Sequence, residues 1–219
     1  FLGPESYGIY GVIISLVTFV NVIQTSGVTQ AISKFIAEDN TKADALFVTG
    51  LYLQAIVVGI FFLIFLLFPS IIADVLHNQK LIPYIQLSAF IFPLYGLYAL
   101  YADYYNGLHN FKKQAILNTL YAGVKLVFVL IFSSFFFLKG VFYGFIIAPI
   151  VAIAYGFHFP KTMSPFYRYK KIIRFALPLI GLAVFATLLQ SLDLFFVSSL
   201  LHSSKITGFY TASQNIARL

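Results

Sequence analysis

Gln114, Asn118, Tyr121 and Lys125 recur at i, i+4, i+7 and i+11, a spacing that puts all four on one face of an α-helix. The run that holds them, Ala115 to Phe137, is otherwise almost entirely apolar. Lys125 stands about ten residues into it, on the order of 15 Å along a helix that rises 1.5 Å per residue. In a bilayer that depth is close to the centre, beyond the comfortable reach of a lysine stem to the interface. Leaving the ammonium against hydrocarbon would cost at least about 2.5–3.5 kcal/mol. Two environments relieve it: a wet cavity, where it offers its charge to an anionic substrate beside the hydrogen-bonding groups of Gln114, Asn118 and Tyr121, or a structural pair with a neighbouring carboxylate.

Other polar side chains interrupt apolar runs in the same way. At 100° per residue, Ser15, Thr18, Asn21, Thr25, Ser26, Thr29 and Ser33 share one arc of the first run, with Gln24 just off it. The arc is either a packing face of small hydroxyl residues or a cavity wall, and its length and the inclusion of Asn21 favour the wall, making Asn21 and Thr25 candidate substrate contacts. The third run carries Tyr95, Tyr98, Tyr101 and Tyr105 on one side, with Pro93 upstream as an expected kink. These tyrosines read as an interfacial aromatic belt or as a cavity surface offering hydroxyls and ring faces to sugars, with Tyr98 and Tyr101 as the candidates. Asp103 and Asp193 are the acids placed where a coupling ion could be held, Asp193 beside Gln190 and Ser191. A direct Asp103–Lys125 pair is marginal, because Asp103 lies roughly 9 Å nearer the run's end by helix rise. His77, His109, His158 and His202 show no ligand spacing, and the chain has no cysteine, so neither a metal site nor any other cofactor is expected.

The elements that must hold these residues follow from composition. Of 219 residues 60% are hydrophobic and 10% charged, with mean hydropathy +0.91, too little charge to clothe a water-soluble globule of this size. An all-α, polytopic membrane bundle is expected, with spans at Tyr7 to Ala31, Leu46 to Phe68, Ile82 to Tyr105, Ala115 to Phe137, Val141 to Phe159 and Phe175 to Leu201, and a partial seventh from Gly208. Alternate breaks differ in basic content. One set holds Lys34, Lys42, Lys112, Lys113, Lys161, Arg168, Lys170, Lys171 and Arg174, the other Lys80, Lys139 and Lys205. The first set is therefore expected in the cytoplasm and the Leu2 to Ser6 loop outside, in a multi-pass protein of the cytoplasmic membrane. On this reading the net charge of +7 faces membrane lipids rather than nucleic acid. The break from Pro160 to Arg174 is long and strongly basic. It divides the chain into an N-terminal lobe over 1–159, a cytoplasmic linker over 160–174 and the start of a C-terminal lobe over 175–219.

An internal echo supports two related lobes. Gly8-Ile9-Tyr10 aligns with Gly208-Phe209-Tyr210 at an offset of 200 residues, in both cases after a short polar loop and before a helix with one polar face. That period is too long for a solenoid and suits a transporter with repeated halves.

The stretches LGPESYGIY, SKFIAE, NGLHNFKKQAILN and DLFFVSSLLHSSKITGFYTASQNIAR resemble oligosaccharide flippases of the polysaccharide transporter group. That group shares the multidrug and oligosaccharide exporter superfamily with the lipid II flippase and the MATE efflux transporters. The resemblance implies a MATE-like fold of two six-helix lobes around a cavity open alternately to either side, with this chain starting after the family's first helix and ending in its eighth. It also implies a polyprenyl-pyrophosphate-linked oligosaccharide as cargo, polysaccharide assembly enzymes as partners, and no covalent chemistry. Lys125, Asn21 and Asp193 rest on their own spacing, not on a family motif. A cation-coupled multidrug exporter of the same fold is the nearest alternative, and would be expected to place carboxylates rather than a lysine in its cavity. A membrane polysaccharide polymerase is the second, and would need a sizeable loop bearing catalytic acids or bases, which the short breaks do not provide.

Overall fold

The computed structural model describes residues 3–161, 166–201 and 203–217. Leu2, residues 162–165 of the expected linker, the side chains of Gln190 and Ser191, and His202 lie outside the described residues. Backbone polar groups at membrane depth have no water to bond, so each apolar run closes its hydrogen bonds within itself as a helix. The helices are α1 (Gly3–Gln24), α2 (Gln30–Glu38), α3 (Ala43–Leu67), α4 (Pro69–Val75), α5 (Ile82–Ala89), α6 (Ile91–Gly107), α7 (Phe111–Gly156), α8 (Tyr169–Leu201) and α9 (Ser204–Ala217). Among the described residues five helical segments are long and apolar enough to cross a membrane. The chain is an all-α, multi-pass membrane bundle.

Three local features depart from the regular pattern. Between α1 and α2 the helix continues through a π-helical turn, Thr25–Thr29, which inserts one extra residue. Its threonines stabilise the altered backbone: the Thr25 hydroxyl donates to the Asn21 carbonyl and the Thr29 hydroxyl to the Thr25 carbonyl, each at 2.9 Å. An added residue rotates everything beyond it by about 100°. The polar arc expected to run unbroken from Ser15 to Ser33 is therefore split. Thr18 is exposed, whereas Thr29 and Ser33 are buried.

The third expected span breaks at Phe90 into α5 and α6. Pro93 has no N–H to give the carbonyl four residues back, so the kink falls just upstream of it. The fourth and fifth expected spans are the two arms of α7, which reverses at Phe137 (φ 50°, ψ −129°). Gly140 packs on Phe132, Gly144 on Val129 and Gly156 on Leu117, so partners step away from Phe137 equally on both arms, as an antiparallel hairpin requires. Counted as two arms, α7 raises the crossings to six. At the chain's start, the part of the expected Leu2 to Ser6 loop from Gly3 onward is already helical, since Pro4 in a first turn forfeits no bond.

Two apolar cores hold the bundle. One, towards the 160–168 connection, gathers Ile32, Ile36, Phe47, Leu100, Tyr104 and Leu117; the other, at the opposite end, gathers Ile13, Phe65, Leu81, Ile85, Phe92 and Phe142. Large apolar side chains such as Leu130, Phe135, Leu182, Phe185 and Leu200 stand exposed on the outside, where a membrane supplies hydrocarbon.

The echo at offset 200 is a physical junction. A methyl added at Gly8 would collide with the Ser204 carbonyl oxygen, and one at Gly208 with the Pro4 carbonyl oxygen. One at Gly11 would strike the Thr211 side chain. Gly8 thus meets Ser204 while its counterpart Gly208 meets Pro4, the counterpart of Ser204, and Gly11 meets its own counterpart Thr211, the reciprocal pattern of a pseudo-two-fold axis between α1 and α9. Missing Cβ atoms let the two backbones touch, the packing mode of membrane helices.

Candidate functional site

Lys125 lies in the first arm of α7, half-buried, with its ammonium 4.9 Å from the Tyr121 ring centroid and 5.2 Å from that of Phe145 on the second arm. Among the described residues no carboxylate pairs with it. Two aromatic faces partly replace water around the charge. Tyr121 is one member of an aromatic cluster. It stacks on Tyr98 at 4.4 Å and meets Tyr95 at 5.8 Å, while the Tyr98 hydroxyl donates to Asn118 Oδ1 at 2.8 Å. Lys125, Tyr121, Asn118 and Tyr98 therefore form one group, with exposed Asn118 and buried Tyr98 bridging α7 and α6. Gln114, one helical turn below Asn118, is half-buried on the same face.

The remaining expected site residues sit elsewhere. Tyr101 gives its hydroxyl to the His158 carbonyl at 3.2 Å, and Tyr105 to the Gly156 carbonyl at 2.7 Å. Of the four tyrosines expected on one side of this run, Tyr98, Tyr101 and Tyr105 are buried and Tyr95 is half-buried, so the row faces the inside of the bundle. Thr25 has its hydroxyl on the Asn21 backbone. Asn21 is half-buried, and its side-chain oxygen has no partner. Asp103 faces Thr29 across the α6–π-turn contact. Asp193, on α8, accepts from the Tyr210 hydroxyl at 2.8 Å and from Gln214 Nε2 at 2.6 Å, tying α8 to α9.

Two groupings gave no sequence signal strong enough to single them out. The first joins residues far apart in the chain. Asp44 Oδ1 accepts from the Tyr104 hydroxyl at 3.1 Å and lies 2.8 Å from His158 Nε2, while its Oδ2 accepts from the Lys161 backbone N–H at 2.8 Å. Tyr104 also stacks on the His158 ring at 5.0 Å. This carboxylate anchors the start of the 160–168 connection to α3 and α6. Asp44→Asn is expected to lower stability by about 1.5–3 kcal/mol, the scale of hydrogen bonds to a charged group, and to open Lys161 to trypsin. Unchanged thermal unfolding and cleavage would refute the anchor. The second grouping is the pair Gln24 and Gln54, both buried without partners beside Gly96.

The bundle thus combines a kinked third span, a hairpin of two further spans and a pseudo-two-fold junction between α1 and α9. A solved structure described as the inward-facing conformation of a multidrug resistance MATE family transporter of the MOP superfamily matches it. The TM-score is 0.80, at 17% identity over 98% of this chain and 54% of that one. The fold is MATE-like, and the chain spans about half the length of that transporter. The family described as polysaccharide biosynthesis protein matches residues 1–219, and the chain belongs to it. No curated protein matches the sequence significantly.

Proposed function

We propose that the protein is a flippase that moves a polyprenyl-pyrophosphate-linked oligosaccharide from the inner to the outer leaflet of the cytoplasmic membrane for surface polysaccharide synthesis. The observation that carries this reading is Lys125: a cation deep in an apolar helix, without a carboxylate partner among the described residues, beside hydroxyl, amide and ring faces. A pyrophosphate suits the ammonium, and sugar rings suit the tyrosines. Membership of a polysaccharide biosynthesis family agrees with such a cargo. Transport would proceed by rocking of two lobes about a fixed site. The lobes would be 1–159 and the one begun at 175–219, joined by the basic 160–174 segment on the cytoplasmic side. Asp103, inside the first lobe, and Asp193, at the α8–α9 contact, are the acids available to couple an ion.

A multidrug exporter is the second reading, favoured by the likeness to a MATE transporter. Cargo charge separates the two. Proteoliposomes containing the protein and a lipid-linked oligosaccharide are expected to expose the sugar to an external lectin faster than protein-free vesicles, with no efflux of a cationic dye. Dye efflux without sugar exposure would replace the flippase with the exporter.

A further inference from the structure

Where α3 and α6 meet, a continuous apolar groove runs along the outside of the bundle. Its lower part, a cavity of about 490 Å³, is lined by Phe47, Leu51, Ala55 and Tyr101 together with Phe157 and Phe159 of the connection after α7. Its upper part, about 410 Å³, shares Leu51 and Ala55 and continues past Gly59 and Phe62 to Pro93 and Leu97 of α6. A methyl built on Gly59 would meet nothing within 4 Å, so the groove is open there. From Phe47 to Phe62 it extends about 22 Å by helix rise, enough to take an extended lipid chain from its lower end past the roughly 15 Å of hydrocarbon in one leaflet. Exposed Tyr52, Ile56 and Ile60 flank it on α3, a face for hydrocarbon rather than water. On α6, a step of 100° per residue puts Pro93, Leu97 and Leu100 nearly half a turn from Tyr95 and Tyr98. The groove and the Lys125 cluster therefore lie on opposite sides of that helix.

The lower mouth of the groove is basic. Residues 157–174 carry Lys161, Arg168, Lys170, Lys171 and Arg174 and neither aspartate nor glutamate. Lys161 directly follows Pro160, which lines the groove, and Arg168 stands two residues beyond Phe166, whose ring lies 5.5 Å from that of Tyr52 on the groove wall. Both cations are exposed. The nearby acids are engaged: Asp44 by Tyr104, His158 and the Lys161 backbone N–H, and Asp39 by Thr41, in the field of Arg168 and Lys42. We propose that this groove is a binding site for one anionic phospholipid from the leaflet that the 160–174 segment faces, its phosphate at Lys161 and Arg168 and one acyl chain laid between α3 and α6. Basic pockets between membrane helices select anionic head groups, and the apolar walls hold the chain by close packing. The chain of the proposed cargo is a poorer occupant, because a tail whose head sits at Lys125 would have to pass around α6 to enter. A lipid seated here ties α3 and α6 to the start of the connection that leads to α8. The site is separate from Lys125 and stands whatever the cargo.

The test uses the purified protein in detergent micelles doped with phosphatidylglycerol or, at equal mole fraction, phosphatidylcholine. Phosphatidylglycerol is expected to raise the melting temperature by roughly 2–4 °C over phosphatidylcholine through preferential binding to the folded state. Gly59→Leu, which fills the groove with the protein's own side chain, is expected to lose that increment while melting in phosphatidylcholine no lower than the wild type. Lys161→Gln combined with Arg168→Gln is expected to abolish the preference for the anionic lipid. Equal response of the wild type to both lipids, or a Gly59→Leu protein that keeps the full increment, would overturn the proposal. So would displacement of phosphatidylglycerol by a lower concentration of polyprenyl phosphate, which would give the groove to an isoprenoid lipid instead. Should a variant fail to fold, phosphatidylglycerol with a photoactivatable acyl chain decides on the wild type: labelling within 47–62 or 93–101 supports the site, and labelling only elsewhere refutes it.

Discussion

For the proposed flippase, Lys125→Ala is expected to lower the rate of lipid-linked sugar export by about 10- to 100-fold, the range that loss of one hydrogen bond to a charged group, about 1.5–3 kcal/mol, produces. The physical sign of the effect on stability separates cargo binding from a structural role. If the ammonium were held for the sake of the fold, removing it would destabilise the protein. Here its immediate neighbours are two ring faces, at 4.9 and 5.2 Å, and no carboxylate among the described residues, so an apolar replacement relieves a desolvated charge. Lys125→Met, which preserves the length of the stem, should therefore melt at or above the wild-type temperature and yet fail to export. Lys125→Arg keeps the charge but spreads it over a wider planar group between Tyr121 and Phe145, and partial activity is expected. Export can be read as surface polysaccharide in cells relying on the variant. Normal surface polysaccharide in Lys125→Ala cells would remove this lysine from the mechanism.

The second large effect belongs to the junction of α1 with α9. Gly8→Val and Gly208→Val each place side-chain atoms where the other helix has a backbone carbonyl, that of Ser204 or Pro4, and a backbone cannot swing aside as a side chain does. Separation of the helices and a loss of more than about 3 kcal/mol are expected, beyond the usual range for overpacking. Gly59→Ala and Gly123→Ala, at positions with open space around the new methyl, should melt within about 0.5 kcal/mol of the wild type, or somewhat above it through helix propensity. Gly11 provides a sharper comparison, because what an added methyl meets there is the Thr211 side chain. Gly11→Ala should destabilise, and Thr211→Ala in the same chain should restore much of the loss, giving a favourable interaction energy in a double-mutant cycle. Strict additivity of the two changes would mean that the helices do not meet as described.

The repeat and the spans were legible in the sequence because both depend on local pattern. An apolar run must be helical in lipid whatever surrounds it, and Gly8 with Gly208 could be aligned without knowing that they touch. Lys125 was legible for a similar reason: Asn118 and Tyr121 lie on its own helix, so periodicity alone grouped them. The buried amides escaped because the π turn at Thr25–Thr29 shifts the helical phase by one residue, and a fixed 100° step placed Gln24 off the arc that mattered. Gln54 stands as an isolated polar residue in the run from Leu46 to Phe68, and only the fold brings it beside Gly96 of α6 together with Gln24. The Asp44–His158 contact spans 114 residues, a pairing that no spacing rule reaches. The tyrosines of α6 left two readings open for a physical reason: a phenol suits an interface and a hydroxyl-lined interior equally, and only the carbonyls of Gly156 and His158 decide where Tyr105 and Tyr101 point.

The junction in which Pro4 faces Gly208 and Gly8 faces Ser204 reaches back into the history of the chain. A surface whose contacts are reciprocal, one position meeting a second and the second's counterpart meeting the first's, is what a symmetric homodimer presents. A half-length ancestor carrying one such glycine-bearing helix would already have been able to associate with its twin. Gene fusion would then have tethered an association that existed beforehand, leaving the two descendants free to diverge everywhere except where their backbones still press together.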